Sequence, residues 1–268
     1  MTRFFSFFTN LWHLMLKELK SYFTSPVAYL VLSVFTIISG LYFYIVLSSF
    51  YTRINQYKVY SQLYRNPEFL ERINLNEMVI SPLFQFLIIV LIFIVPALTM
   101  RLIADEKKAK TDELLLTTPL SLYEIVLGKF LGSFLFLLIL LSTTLVFIAI
   151  LFIYGAPELG PVITGYLGLI LIGTVLLAIG IFASSLTANQ INSYFISFAI
   201  GLLLLITGWA GQLTSERIGG VLNYLSITSH YQNLAKGLID SKDICYYLSF
   251  IVFFLFMAKS SVESMRWR

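Results

Sequence analysis

The chain has 268 residues, of which 58% are hydrophobic and 12% are charged, and its formal net charge is +4. Ordinary soluble domains carry roughly 45–50% apolar and 25% charged residues, so this composition excludes a soluble domain and indicates an integral membrane protein. The lysines and arginines lie at the ends of apolar runs and give little reason to expect a nucleic acid partner. A single cysteine, Cys245, excludes an intrachain disulfide and a cysteine-based metal site. His13 and His230 lie too far apart in sequence to form a metal centre alone.

Residues 1–25 predict an amphipathic helix that lies in the membrane interface. Apolar and aromatic side chains fill most of its surface, and the polar residues form one stripe at helical spacing: Ser6, Asn10, His13, Lys17 and Lys20. Charged residues interrupt the apolar run and no small-residue cleavage site follows, so the segment is not a secretory signal peptide. Ser25-Pro26 ends the helix and turns the chain into the membrane.

Six apolar runs approach or exceed the roughly 20 residues that a helix needs to cross a bilayer. Their predicted bounds are 27–49, 82–100, 125–154, 162–186, 192–210 and 244–262. Pro96 is expected to bend the second span. If both termini are cytoplasmic, eleven Lys and Arg residues lie on the cytoplasmic side and seven on the outer side, which favours this orientation.

Two segments are predicted to lie outside. Residues 50–81 place Tyr57, Tyr60 and Tyr64 on one face of a short helix, where they fit an interfacial aromatic belt, and a second short helix is predicted after Asn66. Residues 211–243 are too polar to span the membrane and too apolar to float free. They predict re-entrant amphipathic half-helices before the last span. His230 in this segment is expected to be a hydrogen-bonded structural residue rather than a substrate or proton site.

The predicted spans contain no Asp, Glu, Arg or His, whereas ion-coupled carriers usually need an ionisable residue near the middle of the bilayer. Lys129 lies close enough to the end of its span for its ammonium group to reach the membrane surface. Small residues recur at every fourth position and predict close helix packing within the monomer; they are Gly180, Ser184, Ser193, Ser197 and Gly201.

No set of residues suited to bond-making chemistry is visible in the sequence. There is no Ser/His/Asp combination, no carboxylate pair within a span and no metal cluster. Gly128-Lys129 does not end a phosphate-binding loop, because Tyr123 stands where such a loop has glycine and Phe130 follows the lysine. We therefore expect a chain that is not an enzyme by itself, and any nucleotide that drives it to be bound by another chain.

The polar segment 101–124, between the second and third spans, carries eight charged residues followed by Leu114, Leu115 and Leu116. A loop that merely obeys the charge rule for topology would fit the composition nearly as well. Such a loop has no need of three leucines, however, so the combination favours a segment that docks onto something in water.

Three stretches resemble the ABC-2-type transporter permeases, and most of all their gliding-motility-associated subfamily. The first comprises residues 96–101, 105–108 and 111–119, the second is 182–190, and the third comprises 229–231, 236–240 and Asp243. This chain has Lys110 where the family commonly has glycine before the threonine. The resemblance implies an all-α integral membrane protein of the six-span type V exporter fold, with an interfacial N-terminal helix and one transmembrane domain over residues 1–268.

The resemblance further implies a permease subunit of an ATP-binding cassette exporter in the bacterial inner membrane, multi-pass and with both termini cytoplasmic. Its partners would be two cytoplasmic ATPase subunits, which hold ATP and Mg²⁺, a second permease copy or related permease, and an auxiliary subunit with a periplasmic domain in some systems. No cofactor or metal is expected in this chain. The residues implied to contact the ATPase are Asp105, Glu106, Lys107, Lys108, Lys110, Thr111, Glu113, Leu114, Leu115, Leu186, Thr187, Asn189 and Gln190.

Two alternatives to export remain from the sequence. The chain could transmit ATPase strokes to a periplasmic or surface machine of the gliding type without moving a substrate. A channel that works without ATP, or an integral-membrane enzyme, is disfavoured by the missing charged pore residues and the missing catalytic set.

Overall fold

The computed structural model describes residues 2–65, 73–110 and 121–264, and within these ranges the chain forms eleven α-helices and one π-helical turn. The six-span, all-helical class is confirmed. The α-helices are α1 Thr2–Thr24, α2 Pro26–Leu63, α3 Ser81–Thr99, α4 Ala104–Lys108, α5 Leu122–Ser142, α6 Leu145–Tyr154, α7 Leu159–Leu186, α8 Gln190–Leu213, α9 Glu216–Leu225, α10 Ile227–Ala235 and α11 Ser241–Ser264.

The six predicted spans correspond to α2, α3, the pair α5 and α6, α7, α8 and α11. Each is long and apolar enough to cross a bilayer, so the chain is a multi-pass membrane protein. Pro96 lies inside α3. The N-terminal segment is helical as predicted, with one side against α5 and large aromatic side chains such as Trp12 exposed on another.

The first span continues well past its predicted end at residue 49. Its 38 residues make a helix about 57 Å long at 1.5 Å per residue, nearly twice the roughly 30 Å of a bilayer core. The separate short helix predicted around Tyr57 is therefore wrong: Tyr57 and Tyr60 lie on α2 itself, because no proline or glycine lies between residue 49 and Leu63 to end the helix. The second predicted helix of this segment begins at residues 66–72, outside the described residues.

The third span is divided, where one continuous helix had been predicted over 125–154. α5 ends at Ser142 and α6 begins at Leu145. Ser142, Thr143 and Thr144 each donate a side-chain hydroxyl to the carbonyl three residues earlier, at 2.6–2.8 Å. Hydroxyls that bond the backbone in this way compete with the helical ladder and bend it.

Helix α7 is the centre of the molecule. It contacts α3, α5, α8, α10 and α11. In its most apolar stretch 78% of the residues are buried, whereas 28% are buried in the corresponding stretches of α2, α8 and α11. A helix that is apolar all round is expected in such a position. Small residues permit the close contacts: a Cβ added to Gly180 would lie 1.9 Å from Oγ1 of Thr99 on α3.

One end of the bundle is joined by polar contacts between segments far apart in sequence. Asn76, in the π-helical turn Asn76–Ile80 that precedes α3, donates to the carbonyl of Glu158 and accepts from its N–H. At the same end, Thr164 of α7 donates to the carbonyl of Leu234 on α10 at 2.6 Å. The predicted half-helices of residues 211–243 are present as α9 and α10, which pack against α8 and α7 respectively.

His230 of α10 is part of a buried hydrogen-bonded network. Its Nδ1 lies 2.7 Å from Oδ1 of Asp243, and its Nε2 lies 3.0 Å from the carbonyl oxygen of Tyr224. Asn233 donates to the other oxygen of Asp243 at 2.9 Å, and the imidazole stacks on Tyr246. Both ring nitrogens have partners, so the geometry is that of a residue that fixes α9, α10 and α11 together.

We predict that Gly180→Ala destabilises the protein by about 1–3 kcal/mol, because the added methyl group overlaps Thr99 and forces α3 and α7 apart. The matched control is Gly160→Ala in the same helix, where an added Cβ meets nothing within 4 Å. Thermal unfolding of both variants in detergent measures the difference. A melting temperature for Gly180→Ala equal to that of Gly160→Ala would show that α3 and α7 are not closely packed here.

Candidate functional site

The charged segment after α3 contains α4, a helix of only five residues that is held in place by its neighbours. Its first backbone N–H groups have no partner within the helix. The hydroxyl of Ser184, near the end of α7, accepts from the N–H groups of Ile103 and Ala104 at 3.0 Å each and donates to the carbonyl of Met100 at 3.2 Å. Ser184 thus caps α4 from another helix.

Two further contacts tie α4 to the turn between α7 and α8. The side-chain amide of Gln190, the first residue of α8, donates to the carboxylate of Asp105, and the ammonium group of Lys107 donates to the carbonyl of Ser185. The same Ser185 carbonyl accepts from Ser261 of α11 at 3.0 Å. The segments 101–110 and 184–190, separated in sequence, therefore form one polar surface at the end of the bundle opposite Asp243.

Glu106 of α4 takes part in a buried ion cluster with Lys129 and Glu18. The ammonium group of Lys129 lies 2.7 Å from Oε1 of Glu106 and 3.0 Å from Oε1 of Glu18, and Lys129 is 4% exposed. The ammonium group of this lysine is not open to solvent, because α1 covers it and supplies one of the two carboxylates. We call these three residues the Lys129 cluster; it joins α1, α4 and α5.

Helix α1 fits closely onto the first turns of α5. A Cβ added to Gly128 would lie 2.6 Å from Cβ of Leu14, and one added to Gly132 would lie 2.6 Å from Cβ of Glu18. Glycines four residues apart thus form the surface onto which α1 packs. The sequence analysis missed this pair, although its spacing is the same as that of Gly180 and Ser184.

The start of α5 carries a capping box that also contacts α1. Ser121 accepts from the N–H of Glu124 at 3.2 Å, and Glu124 accepts from the N–H of Ser121 at 2.6 Å. Asn10 of α1 donates to the other Glu124 oxygen at 3.1 Å. The Ser-x-x-Glu pattern is readable in the sequence, but the sequence analysis did not use it.

Tyr22, near the end of α1, makes further contacts between α1 and the bundle. Its hydroxyl donates to the carbonyl of Leu98 on α3 at 3.2 Å and lies 2.9 Å from the hydroxyl of Ser133 on α5. Burial raises the pKa of Tyr22 well above its ordinary value, so the phenol remains a neutral donor at physiological pH. α1 is therefore anchored to both α3 and α5.

The residues predicted to contact an ATPase fall into three groups. Asp105, Glu106, Lys107 and Gln190 make the intramolecular contacts described above. The exposed rim of the surface carries Lys108, Lys110, Leu186 and Asn189, and Thr187 is half-buried. Four others lie outside the described residues: Thr111, Glu113, Leu114 and Leu115.

Lys110, at the end of the described part of this segment, has a φ of 54°. This left-handed conformation suits glycine and disfavours residues with a Cβ. Lys110 therefore lies at a turn that glycine would adopt at lower conformational cost.

The small residues predicted to mediate packing lie in two places. Gly180 and Ser184 face α3 and the segment that follows it. Ser193 and Ser197 are buried on α8, and their hydroxyls have no hydrogen-bond partner in the described part of the chain. A Cβ added to Gly201 would lie 3.0 Å from Leu176 of α7, so these contacts are within the monomer.

The surface formed by segments 101–110 and 184–190 offers exposed cations, an exposed leucine and polar amides around a rigid centre. Among the described residues there is no group of three or more metal-ligating side chains. Such a surface is suited to binding a macromolecule and to transmitting its movement, since its two segments are bonded to several helices of the bundle.

The sequence profile of a family described as "ABC-2 family transporter protein" matches residues 12–262. The match extends from the middle of α1 into the last turns of α11 and includes the whole surface described above. Comparison with curated proteins returned no match.

We predict that Lys129→Met destabilises the protein by about 2–4 kcal/mol, somewhat less than the loss for a fully buried pair, because it leaves two half-buried carboxylates close together with no cation between them. Adding Glu18→Gln and Glu106→Gln to this variant removes the uncompensated charge and should recover most of the loss. Lys58→Met, at an exposed position of α2, is the control. Thermal unfolding in detergent reports all of these variants; an equal loss in the single and triple variants would exclude charge compensation as the cause.

Proposed function

The chain belongs to the ABC-2 family of transporter proteins, and we propose that it is the transmembrane subunit through which a separate cytoplasmic ATPase drives outward movement of a substrate. The ATPase binds ATP and Mg²⁺ and docks on the surface formed by residues 101–110 and 184–190. Two ATPase subunits act on two permeases, the second being either another copy of this chain or a related one. The complex lies in the bacterial inner membrane, with both permease termini in the cytoplasm.

The observation that carries this proposal is the bonding of α4 to four other helices. Ser184 and Ser185 connect it to α7, Gln190 to α8, and the Lys129 cluster to α5 and α1. A push on α4 from the cytoplasm is therefore distributed over most of the bundle at once. Rigid-body movement of helices driven by a short connected element is an established way to convert a local event into a domain motion.

A cavity at the opposite end supports transport of a substrate. It has a volume of about 310 Å³, within the range of small-molecule sites, and lies between α3, α8 and α10. Its lining combines aromatic and aliphatic surface with polar side chains and the cation Lys236; it includes Trp209, Ile88, Gln85, Thr228, Ser229 and Gln232. Because α3 and α8 both extend from the docking surface to this cavity, movement of α4 can change its shape.

We predict that Lys108→Glu combined with Lys110→Glu weakens ATPase association at least about tenfold, as expected when two exposed cations in a docking surface are reversed. Both side chains are exposed, so folding should be unaffected. The measurement is the amount of ATPase that co-purifies with the tagged chain from its native membrane, together with the ATP hydrolysis of the isolated complex.

The control for this experiment is Arg53→Glu combined with Lys58→Glu, which reverses two exposed cations on the part of α2 beyond the predicted span. It should leave association and hydrolysis unchanged. Recovery of the chain with no ATPase, or equal loss of ATPase in both double variants, would contradict the proposed docking surface.

Orientation can be tested separately, because Cys245 is the chain's single cysteine. In a Cys245→Ser background we expect Arg53→Cys to react with a membrane-impermeant maleimide in intact spheroplasts, and Lys108→Cys to react only after the membrane is permeabilised. Both positions are exposed, so labelling depends on the side of the membrane. The reverse pattern would place α4 outside the cell and eliminate the coupling role.

A further inference from the structure

A second cavity lies beside the Lys129 cluster, where α1, the start of α2, the end of α3 and α5 meet. Its volume is about 310 Å³. Part of its wall is apolar and formed by Val27, Ala28, Ala97 and Leu98; the rest is charged or polar. The cavity adjoins the turn at Ser25, where the chain passes from the amphipathic helix α1 into the first span.

The cavity is lined by charged residues of both signs, and their formal charges cancel. Lys17, Arg101 and Lys129 are its cations, and Glu18, Asp105 and Glu106 its anions. Lys129 is shared by two carboxylates, and carboxylate oxygens accept hydrogen bonds from an ammonium group. Arg101 and Lys17 attract an anion.

One nitrogen of the Arg101 guanidinium group lacks a hydrogen-bond acceptor. Its Nε is buried and has no hydrogen-bond partner in the described part of the chain, and no ion pair among the described residues includes it. A buried guanidinium nitrogen without an acceptor is unfavourable. A phosphate oxygen in the cavity would supply that acceptor, since arginine binds phosphate through several parallel hydrogen bonds.

We propose that this cavity binds the headgroup of a phospholipid that carries a primary ammonium, phosphatidylethanolamine. Its phosphate accepts from Arg101 and from Lys17 at the exposed rim, and its ammonium group donates to the carboxylates of the Lys129 cluster. The apolar wall of Val27 and Ala97 contacts the glycerol and the first acyl carbons. The position fits a membrane lipid, because α1 is amphipathic and α2 and α3 are spans.

The chemistry distinguishes this lipid from others in the same bilayer. The quaternary ammonium of phosphatidylcholine has no N–H to donate to a carboxylate. Phosphatidylglycerol lacks the cation and adds a net negative charge to a cavity whose own charges already cancel. A soluble phosphoethanolamine ester has the same polar groups but cannot use the apolar wall.

Native mass spectrometry of the full-length chain, released from nanodiscs that contain the three phospholipids in equal amounts, tests the proposal. The wild type should retain phosphatidylethanolamine at least about tenfold over the other two, the equivalent of one charge-assisted hydrogen bond. Arg101→Gln and Lys17→Gln should each lose most of this preference, and Ala97→Phe should abolish retention by filling the cavity. Arg53→Gln, at an exposed position of α2, should behave like the wild type.

Lys17→Gln changes an exposed residue, so it decides the outcome even if Arg101→Gln fails to fold, as judged by size-exclusion chromatography. Equal retention of all three lipids by the wild type, or undiminished preference in Lys17→Gln and Ala97→Phe, would overturn the proposal. Displacement of the bound lipid by micromolar glycerophosphoethanolamine would instead assign the cavity to a soluble ester. The result does not depend on ATPase binding, so it is separate from the proposed export function.

Discussion

The ammonium group of Lys129 is the constraint on which the architecture of this end of the molecule depends. A cation inside an apolar helix cannot remain without compensating charge in a membrane protein. Its two carboxylates come from different parts of the chain, Glu18 before the first span and Glu106 after the second. To neutralise one lysine, the protein must bring α1 and α4 onto α5 together. That requirement turns a surface helix and a polar loop into fixed parts of the bundle.

At the opposite end of the bundle a buried charged group is again held by partners from another helix. Asp243 is buried at the start of α11, and His230 and Asn233 of α10 bond its two oxygens. Between these two polar joints the central helix α7 is apolar and packed at close range through small residues such as Gly180. The bundle is thus hydrogen-bonded at both ends and held by van der Waals contact between them.

A feature could be predicted from the sequence when it depends on residues that are close together in the chain. Span length and hydropathy are properties of a single segment, so six spans were found within a few residues at most ends. The division of the third span depends on hydroxyls of Ser142, Thr143 and Thr144 that were visible but weighed less than the unbroken apolar run. The role of Lys129 depends on Glu18, 111 positions away, and on Glu106, 23 positions away, and no local pattern predicts that the three residues meet. The capping box at Ser121 is a local pattern that the sequence analysis did not use.

A helix of five residues, such as α4, is not stable in isolation, because nucleating a helix fixes several residues for very few hydrogen bonds. Its order comes from its partners: Ser184 caps it, Gln190 and the carbonyl of Ser185 bind its sides, and Lys129 holds its middle. The left-handed backbone at Lys110 then ends it abruptly. An element stabilised in this way cannot shift without altering each of those bonds, so any displacement of α4 must be shared by α1, α5, α7 and α8. A displacement imposed on α4 would therefore be passed to those helices as a direct consequence of how α4 is stabilised.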